Sequence, residues 1–285
     1  MTTKRVGIVG SGIMGSGIAE VAAKAGYDVV LRSRAQQSAD AMVAALEKSL
    51  AKQVERGKLD AADRDATLGR VRAVTDLGDL ADCDLVIESV VEDLATKKHL
   101  FNELDRICGD STILATNTST LAVVEMAMDT GRPDKVCGIH FFNPAPMMAL
   151  VEIVRAITSS DETIAEATSF AQTCGKNPVQ VRDQAGFIVN ALLFPYLNNA
   201  VRLFDNGVAT REDIDSAMKG GCNFPMGPLE LLDLVGLDTS LSILEALYAE
   251  FKDPNYAPAP LLRRMVSAER LGRKTGHGFY EYKRK

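Results

Sequence analysis

The chain has 285 residues, 46% hydrophobic and 25% charged, with a net charge of -6 at neutral pH. That length exceeds one typical domain and supplies material for two cores. The acidic balance argues against general nucleic-acid binding, and no segment is apolar for long enough to cross a bilayer.

An apolar run at residues 6–9 stops at Gly10 and reads as a strand. Residues 13–25 read as a helix with Ala and Val on the buried side, ended by Gly26, and residues 28–31 as a second strand. A long helix rich in Ala, Leu, Glu and Lys is expected over 36–56. Strands are expected at 71–74, 84–88, 111–116 and 136–140, with a helix at 96–107. Later strands fall at 150–154 and 178–181, around a helix at 162–174. Strands separated by helices of this length predict βαβ units and a mostly parallel, Rossmann-type α/β sheet. Beyond Arg182 the pattern is helical, punctuated by Gly207, Gly220-Gly221, Gly236 and prolines, with Pro228 suited to a helix first turn. The expected organisation is a nucleotide-binding domain over 1–183 and an all-α domain over 184–285.

Gly10-Ser11-Gly12-Ile13-Met14-Gly15 follows a predicted strand and opens a predicted helix. The first glycine serves the tight turn, the second admits backbone to a pyrophosphate, and the third lets helix pack on strand. The helix N-terminus then faces the negative phosphates. An NAD-selecting carboxylate normally stands about twenty residues further on. Here the strand ends Leu31-Arg32-Ser33-Arg34 without one. Ser33 can donate to a 2′-phosphate and Arg34 can pair with it, so the cofactor expectation is NAD or NADP, leaning to NADP. Arginines solvated on a loop, with NAD held by other contacts, are the competing reading.

His140 stands at the end of an apolar strand, Glu152 a short strand later, Ser119 upstream and Asn190 downstream. Oxidising a secondary alcohol needs a proton acceptor, and histidine suits that role near neutral pH. Glu152 is expected to accept the other ring N–H and balance the imidazolium. Ser119 and Asn190 are expected to hydrogen-bond the substrate oxygen. A core histidine is the structural alternative for His140; His99 and His277 sit in a charged helix and a glycine-rich tail and are assigned no chemistry. Cys83, Cys108, Cys137, Cys174 and Cys222 are odd in number and lack metal-ligand or CxxC spacing. Together with the absence of an apolar leader, they fit reduced thiols in a cytoplasmic protein, and no metal is expected.

The chain resembles the L-3-hydroxyacyl-CoA dehydrogenase family, most closely its bacterial 3-hydroxybutyryl-CoA branch. The likeness rests on the glycine loop, Glu88-Ser89-Val90-Val91-Glu92-Asp93, Asn117-Thr118-Ser119, His140-Phe141-Phe142-Asn143-Pro144, Gly186-Phe187-Ile188-Val189-Asn190, Gly227-Pro228 and Lys274-Thr275-Gly276-His277-Gly278-Phe279-Tyr280. The resemblance implies reversible oxidation of a short (S)-3-hydroxyacyl-CoA, the four roles above, and a homodimer through the helical domain. It places Glu92, Lys97, Asn117, Ser119, Asn143 and Lys274 at the cofactor. It places Ser49 and Arg56, seven residues apart on one long helix, at the nucleotide end of the acyl-CoA partner. A basic helix end complementing its own dipole competes for Arg56. The apolar residues between Phe187 and Phe204 exceed what one core face needs, which fits a partner subunit. The rival functions are a dehydrogenase of free hydroxy or sugar acids, of gulonate-dehydrogenase type, and a non-catalytic NAD(P)-binding protein.

Overall fold

The computed structural model describes residues 3–283. The chain divides into two units, Met1–Gln184 and Ala185–Lys285. The first carries eight strands: β1 (Arg5–Val9), β2 (Asp28–Arg32), β3 (Val71–Val74), β4 (Leu85–Glu88), β5 (Ile113–Thr116), β6 (Val136–Phe141), β7 (Leu150–Arg155) and β8 (Asn177–Arg182). Its helices are α1 (Ile13–Lys24), α2 (Gln36–Glu55), α3 (Ala61–Gly69), α4 (Leu94–Ile107), α5 (Val123–Ala127) and α6 (Asp161–Thr173).

The strands form one sheet in the order β3-β2-β1-β4-β5-β6-β7-β8. The first six follow the order of doubly wound dinucleotide-binding folds. β4, β5 and β6 are buried along their whole length, as strands covered on both faces must be. Their Val, Ile and Leu side chains meet α1 and α6 in a core that includes Ile8, Ile18, Leu31, Ile87, Ile139 and Phe170. α2 lays Ala39, Met42, Leu46 and Leu50 against the unit, spaced as one helical stripe.

The sheet departs from all-parallel pairing at one place. β6 and β7 run antiparallel, with His140 opposite Glu152. Residues 142–149 between them are too few for the crossover that a parallel neighbour needs. β8 pairs parallel to β7, so the last two strands run against the rest.

Two short helices lie where the sequence predicts no element. α3 is capped by Asp60, which accepts from the Asp63 amide, and buries only Thr67, so it has no apolar stripe to announce it. α5 begins where Asp183 accepts hydrogen bonds from the amides of Val123 and Val124, a partner about sixty residues away.

The second unit is helical: α7 (Val189–Asp205), α8 (Arg211–Cys222), α9 (Pro228–Val235), α10 (Leu237–Phe251) and α11 (Pro260–Ser267). Leu197, Val201, Leu229, Leu232, Leu244 and Leu262 share its core. Two buried carboxylates organise it. Asp215 accepts from the amides of Leu229 and Glu230 at the start of α9 and from the Tyr280 hydroxyl. Asp233 accepts from the amides of Phe279 and Tyr280 and from the Tyr282 hydroxyl. Buried Asn198 accepts from the Ala259 amide and donates to the Ala257 carbonyl. The C-terminal tail is thus tied into the helices by polar contacts as well as by Phe279. Among the described residues, no helix is long and apolar enough to cross a membrane.

Candidate active site

Because β1, β2, β4, β5 and β6 run parallel, their C-terminal ends share one edge of the sheet. The strand order reverses beside β1, where α/β folds of this kind bind nucleotides. Backbone bonds extend past the strand ends there: Gly10 donates to the Arg32 carbonyl, Ser89 to Val9, and Asn117 to Glu88.

The glycine loop meets the steric demands of a phosphate cradle. Gly10 has φ of +137°, and a Cβ on it would stand 2.1 Å from the Ser89 carbonyl oxygen. A Cβ on Gly15 would stand 2.2 Å from the Gly10 carbonyl oxygen. Gly12 is different: a Cβ there would meet no other protein atom within 4 Å. Gly12 also caps α1 without a side-chain hydrogen bond, and no acidic residue occupies the first turn. The first-turn amides and the dipole of α1 therefore suit an anion. Ser11 and Ile13 are exposed beside the loop, whereas Met14 packs partly on the core. These residues fit a dinucleotide.

At the end of β2 the structure corrects one expectation. Ser33 is only 3% exposed, and its hydroxyl is buried with no hydrogen-bond partner among the described residues. Its amide donates to the Val74 carbonyl. As placed, Ser33 does not offer its hydroxyl to a ligand at the surface. Arg34 is exposed, while the Arg32 Nε is spent on the Thr75 carbonyl.

His140 and Glu152 are brought together by the antiparallel register. Both are buried, and His140 Nδ1 lies 2.7 Å from Glu152 Oε2. The imidazole packs against the Phe142 ring, with centroids 4.5 Å apart. Asn117 braces the strand: its Oδ1 accepts from the Phe141 amide at 2.8 Å. Asn117 is also one of the residues that the resemblance places at the cofactor. Lys176, which no sequence signal marks, donates to the carbonyls of Ala145 and Met148 and so anchors the loop between His140 and Glu152. Asn143 is exposed on that loop.

Ser119 sits after β5, in a turn gathered by Glu92. Glu92 Oε1 accepts from the Thr118 hydroxyl and, at 3.0 Å, from the Ser119 amide. Burial pushes the Glu92 carboxyl up, but the nearby Lys97 ammonium and these hydrogen bonds outweigh it and hold the group below the usual glutamate range. Lys97, which the resemblance places at the cofactor, is buried between two carboxylates. Its side chain is 1% exposed, and Nζ lies 2.6 Å from Glu88 Oε1 and 3.2 Å from Glu92 Oε2. The opposite charges account for that inward position.

The remaining expected residues are placed as follows. Asn190 lies in the first turn of α7 and is buried; the turn before it takes positive φ at Gly186 and Phe187. Lys274 is bound to both oxygens of Asp238, an ion pair that the sequence alone does not reveal. Ser49 donates to buried Glu20 at 2.7 Å, so its hydroxyl hydrogen is already engaged. Arg56 is exposed at the C-terminal cap of α2.

Residues 5–184 match the model of the 3-hydroxyacyl-CoA dehydrogenase NAD binding domain, and residues 186–282 that of the 3-hydroxyacyl-CoA dehydrogenase C-terminal domain. The chain is 48% identical to a 3-hydroxybutyryl-CoA dehydrogenase of Clostridioides difficile, covering 98% of this chain and 99% of that one. It is 42% identical to the mitochondrial hydroxyacyl-coenzyme A dehydrogenase of Sus scrofa, covering 98% and 91%. Among solved structures, the (S)-3-hydroxybutyryl-CoA dehydrogenase from Ralstonia eutropha superimposes with a TM-score of 0.97 at 42% identity, covering 99% of this chain and 100% of that one. Two matched family models and full-length relatives of this similarity leave one conclusion: the chain belongs to the 3-hydroxyacyl-CoA dehydrogenase family of oxidoreductases.

Proposed function

We propose that the protein interconverts (S)-3-hydroxybutyryl-CoA and acetoacetyl-CoA, with His140 as the general base and acid. The observation that carries this is the buried His140–Glu152 contact on adjacent antiparallel strands. With Nδ1–H donated to Glu152, Nε2 is the ring nitrogen assigned to take the substrate hydroxyl proton. Glu152 fixes that tautomer and balances the imidazolium that forms. A nicotinamide cofactor, when bound, supplies the hydride acceptor. The alcohol thus loses a proton to His140 and a hydride to the cofactor, and a ketone results; reduction reverses both transfers. Ser119 is assigned a hydrogen bond to the reacting oxygen, and Asn190 a second on its motif in the helical unit. Gly10, Ser11, Gly12, Ile13, Met14 and Gly15 hold the pyrophosphate, and Glu92, Lys97, Asn117 and Asn143 are assigned to the cofactor on resemblance. Ser49, Arg56 and Lys274 remain assigned to ligand binding on resemblance; for Ser49 and Lys274 this requires sharing with Glu20 and Asp238.

Steady-state turnover of acetoacetyl-CoA against free acetoacetate and free sugar acids tests the reading. Activity with the thioester and none with the free acids supports it. Turnover confined to free acids overturns it.

The chain carries a family NAD binding domain. The finer reading is that NADPH is the better reductant. Arg34 is exposed just after β2, and residues 31–34 carry no carboxylate of their own to repel a 2′-phosphate. A charge-assisted contact contributes about 1.5–3 kcal/mol. Arg34→Gln should therefore raise the NADPH dissociation constant about tenfold or more and leave that of NADH unchanged. A parent enzyme with higher kcat/KM for NADH would refute the preference.

A homodimer through the helical unit is part of the same proposal. Leu192 and Leu203 on α7 are 72% and 46% exposed, while Phe194 and Leu197 on the same helix are buried. Light scattering at micromolar concentration should give twice the chain mass, and a monomer mass would count against it.

A further inference from the structure

We propose that Glu88 is a positioning residue: it engages Lys97 so that Glu92 can hold the turn carrying Ser119. This inference rests on the assignment of Ser119 to the reacting oxygen. Glu88 ends β4 and is fully buried. Its two oxygens have separate duties. Oε1 accepts from Lys97 Nζ at 2.6 Å and from the Val90 amide at 2.6 Å. Oε2 accepts from the Thr116 hydroxyl at 2.7 Å, and Thr116 Oγ1 in turn accepts from the Thr118 amide.

Glu92 divides its oxygens in the same way. Oε2 faces Lys97 at 3.2 Å, the looser of the two ion pairs. Oε1 gathers the Thr118 hydroxyl, the Ser119 amide and, at 3.4 Å, the Thr120 hydroxyl. A buried ammonium draws the nearest carboxylate towards it. With Glu88 present, that demand is met from below by a carboxylate with no contact to the turn through Oε1. Without the Glu88 charge, Lys97 has Glu92 as its remaining carboxylate, and the bonds to residues 118–120 compete with it. Lys97 is buried, so water cannot readily replace the missing partner. The relay from β4 through α4 back to the turn lies wholly within the first unit.

A double-mutant cycle separates this role from plain structural support. kcat/KM for acetoacetyl-CoA reduction is measured for the parent, Glu88→Gln, Ser119→Ala and the double variant, with thermal melts as the folding control. Glu88→Gln should lower kcat/KM about tenfold or more, the scale of loss from small misplacement of a reacting group. In the Ser119→Ala background the same change should cost less than about threefold, because the group it positions is gone. Should Glu88→Gln alone not fold, Glu88→Asp, which keeps the charge but draws it back from Lys97 by one methylene, takes its place in the same cycle. Effects that multiply across the cycle would overturn the inference while leaving Ser119 in its role. A near-parental Glu88→Gln would also overturn it. A Ser119→Ala variant of full activity would refute the assignment of Ser119, and this inference with it.

Discussion

Both units bury carboxylates, and they satisfy them in different ways. In the helical unit, Asp215 and Asp233 accept from backbone amides and tyrosine hydroxyls. In the nucleotide-binding unit, Glu88 adds a lysine to an amide and a hydroxyl, and Glu152 faces a histidine. Amides and phenols at neutral pH are fixed donors, so the first arrangement ties chain segments together. A histidine can gain or lose its proton, so the second can serve a reaction. Burial of charge is common to both; the partner decides the use.

The largest effect that tests this difference is expected from His140→Gln. Turnover should fall roughly a hundredfold or more, with cofactor affinity and melting temperature little changed. Near-normal turnover would move His140 into the same structural class as Asp233. Glu152→Gln should lower kcat about tenfold or more and alter the shape of the pH-rate profile. A lower rate with the parental profile would make Glu152 a packing residue.

Asp233→Ala should do the opposite. It leaves two amides and a hydroxyl without their acceptor, which costs about 1–3 kcal/mol of stability. Chemical denaturation reads that loss, and turnover per folded molecule should stay near the parent value.

The smallest effect concerns pH. Burial raises the Asp233 carboxyl above its usual range despite the hydrogen bonds to it. The folded state then binds its proton more tightly than the unfolded chain. This contribution to stability is present below the unfolded value of about 4 and fades as pH rises through the raised folded value. Glu92 has the reverse sign, because its folded carboxyl is depressed. Its contribution is present above the unfolded glutamate value and is lost as pH falls through the lower folded one. Glu92→Gln and Asp233→Asn should therefore change the slope of stability against pH in opposite directions. Equal slopes would reject the contrast.

Much of this was legible in the chain. The glycine loop between an apolar strand and an Ala-rich helix announced β1 and α1. The His140–Glu152 pair was legible as residue types, and the ladder explains why they touch: β7 returns antiparallel to β6. What the sequence concealed depends on contacts distant along the chain. α3 buries too little to show periodicity, and α5 is capped by Asp183. The burial of Ser33 follows from its place beside Val74 on the neighbouring strand, which spacing does not show. Lys97 and Lys274 read as ligand-facing cations because the carboxylates that claim them, Glu88 and Asp238, are chosen by packing rather than by spacing.

The anchoring of residues 278–282 also orders events in folding. Phe279, Tyr280 and Tyr282 follow all five helices of the second unit along the chain, and they supply groups that complete Asp215 and Asp233. The sheet of the first unit is built from strands within residues 5–182. It can therefore be complete while the helical unit still lacks its closing segment. A chain cleaved before Gly278 would keep a finished nucleotide-binding unit joined to helices with two carboxylates missing these partners. This short segment is thus a latch on the second unit.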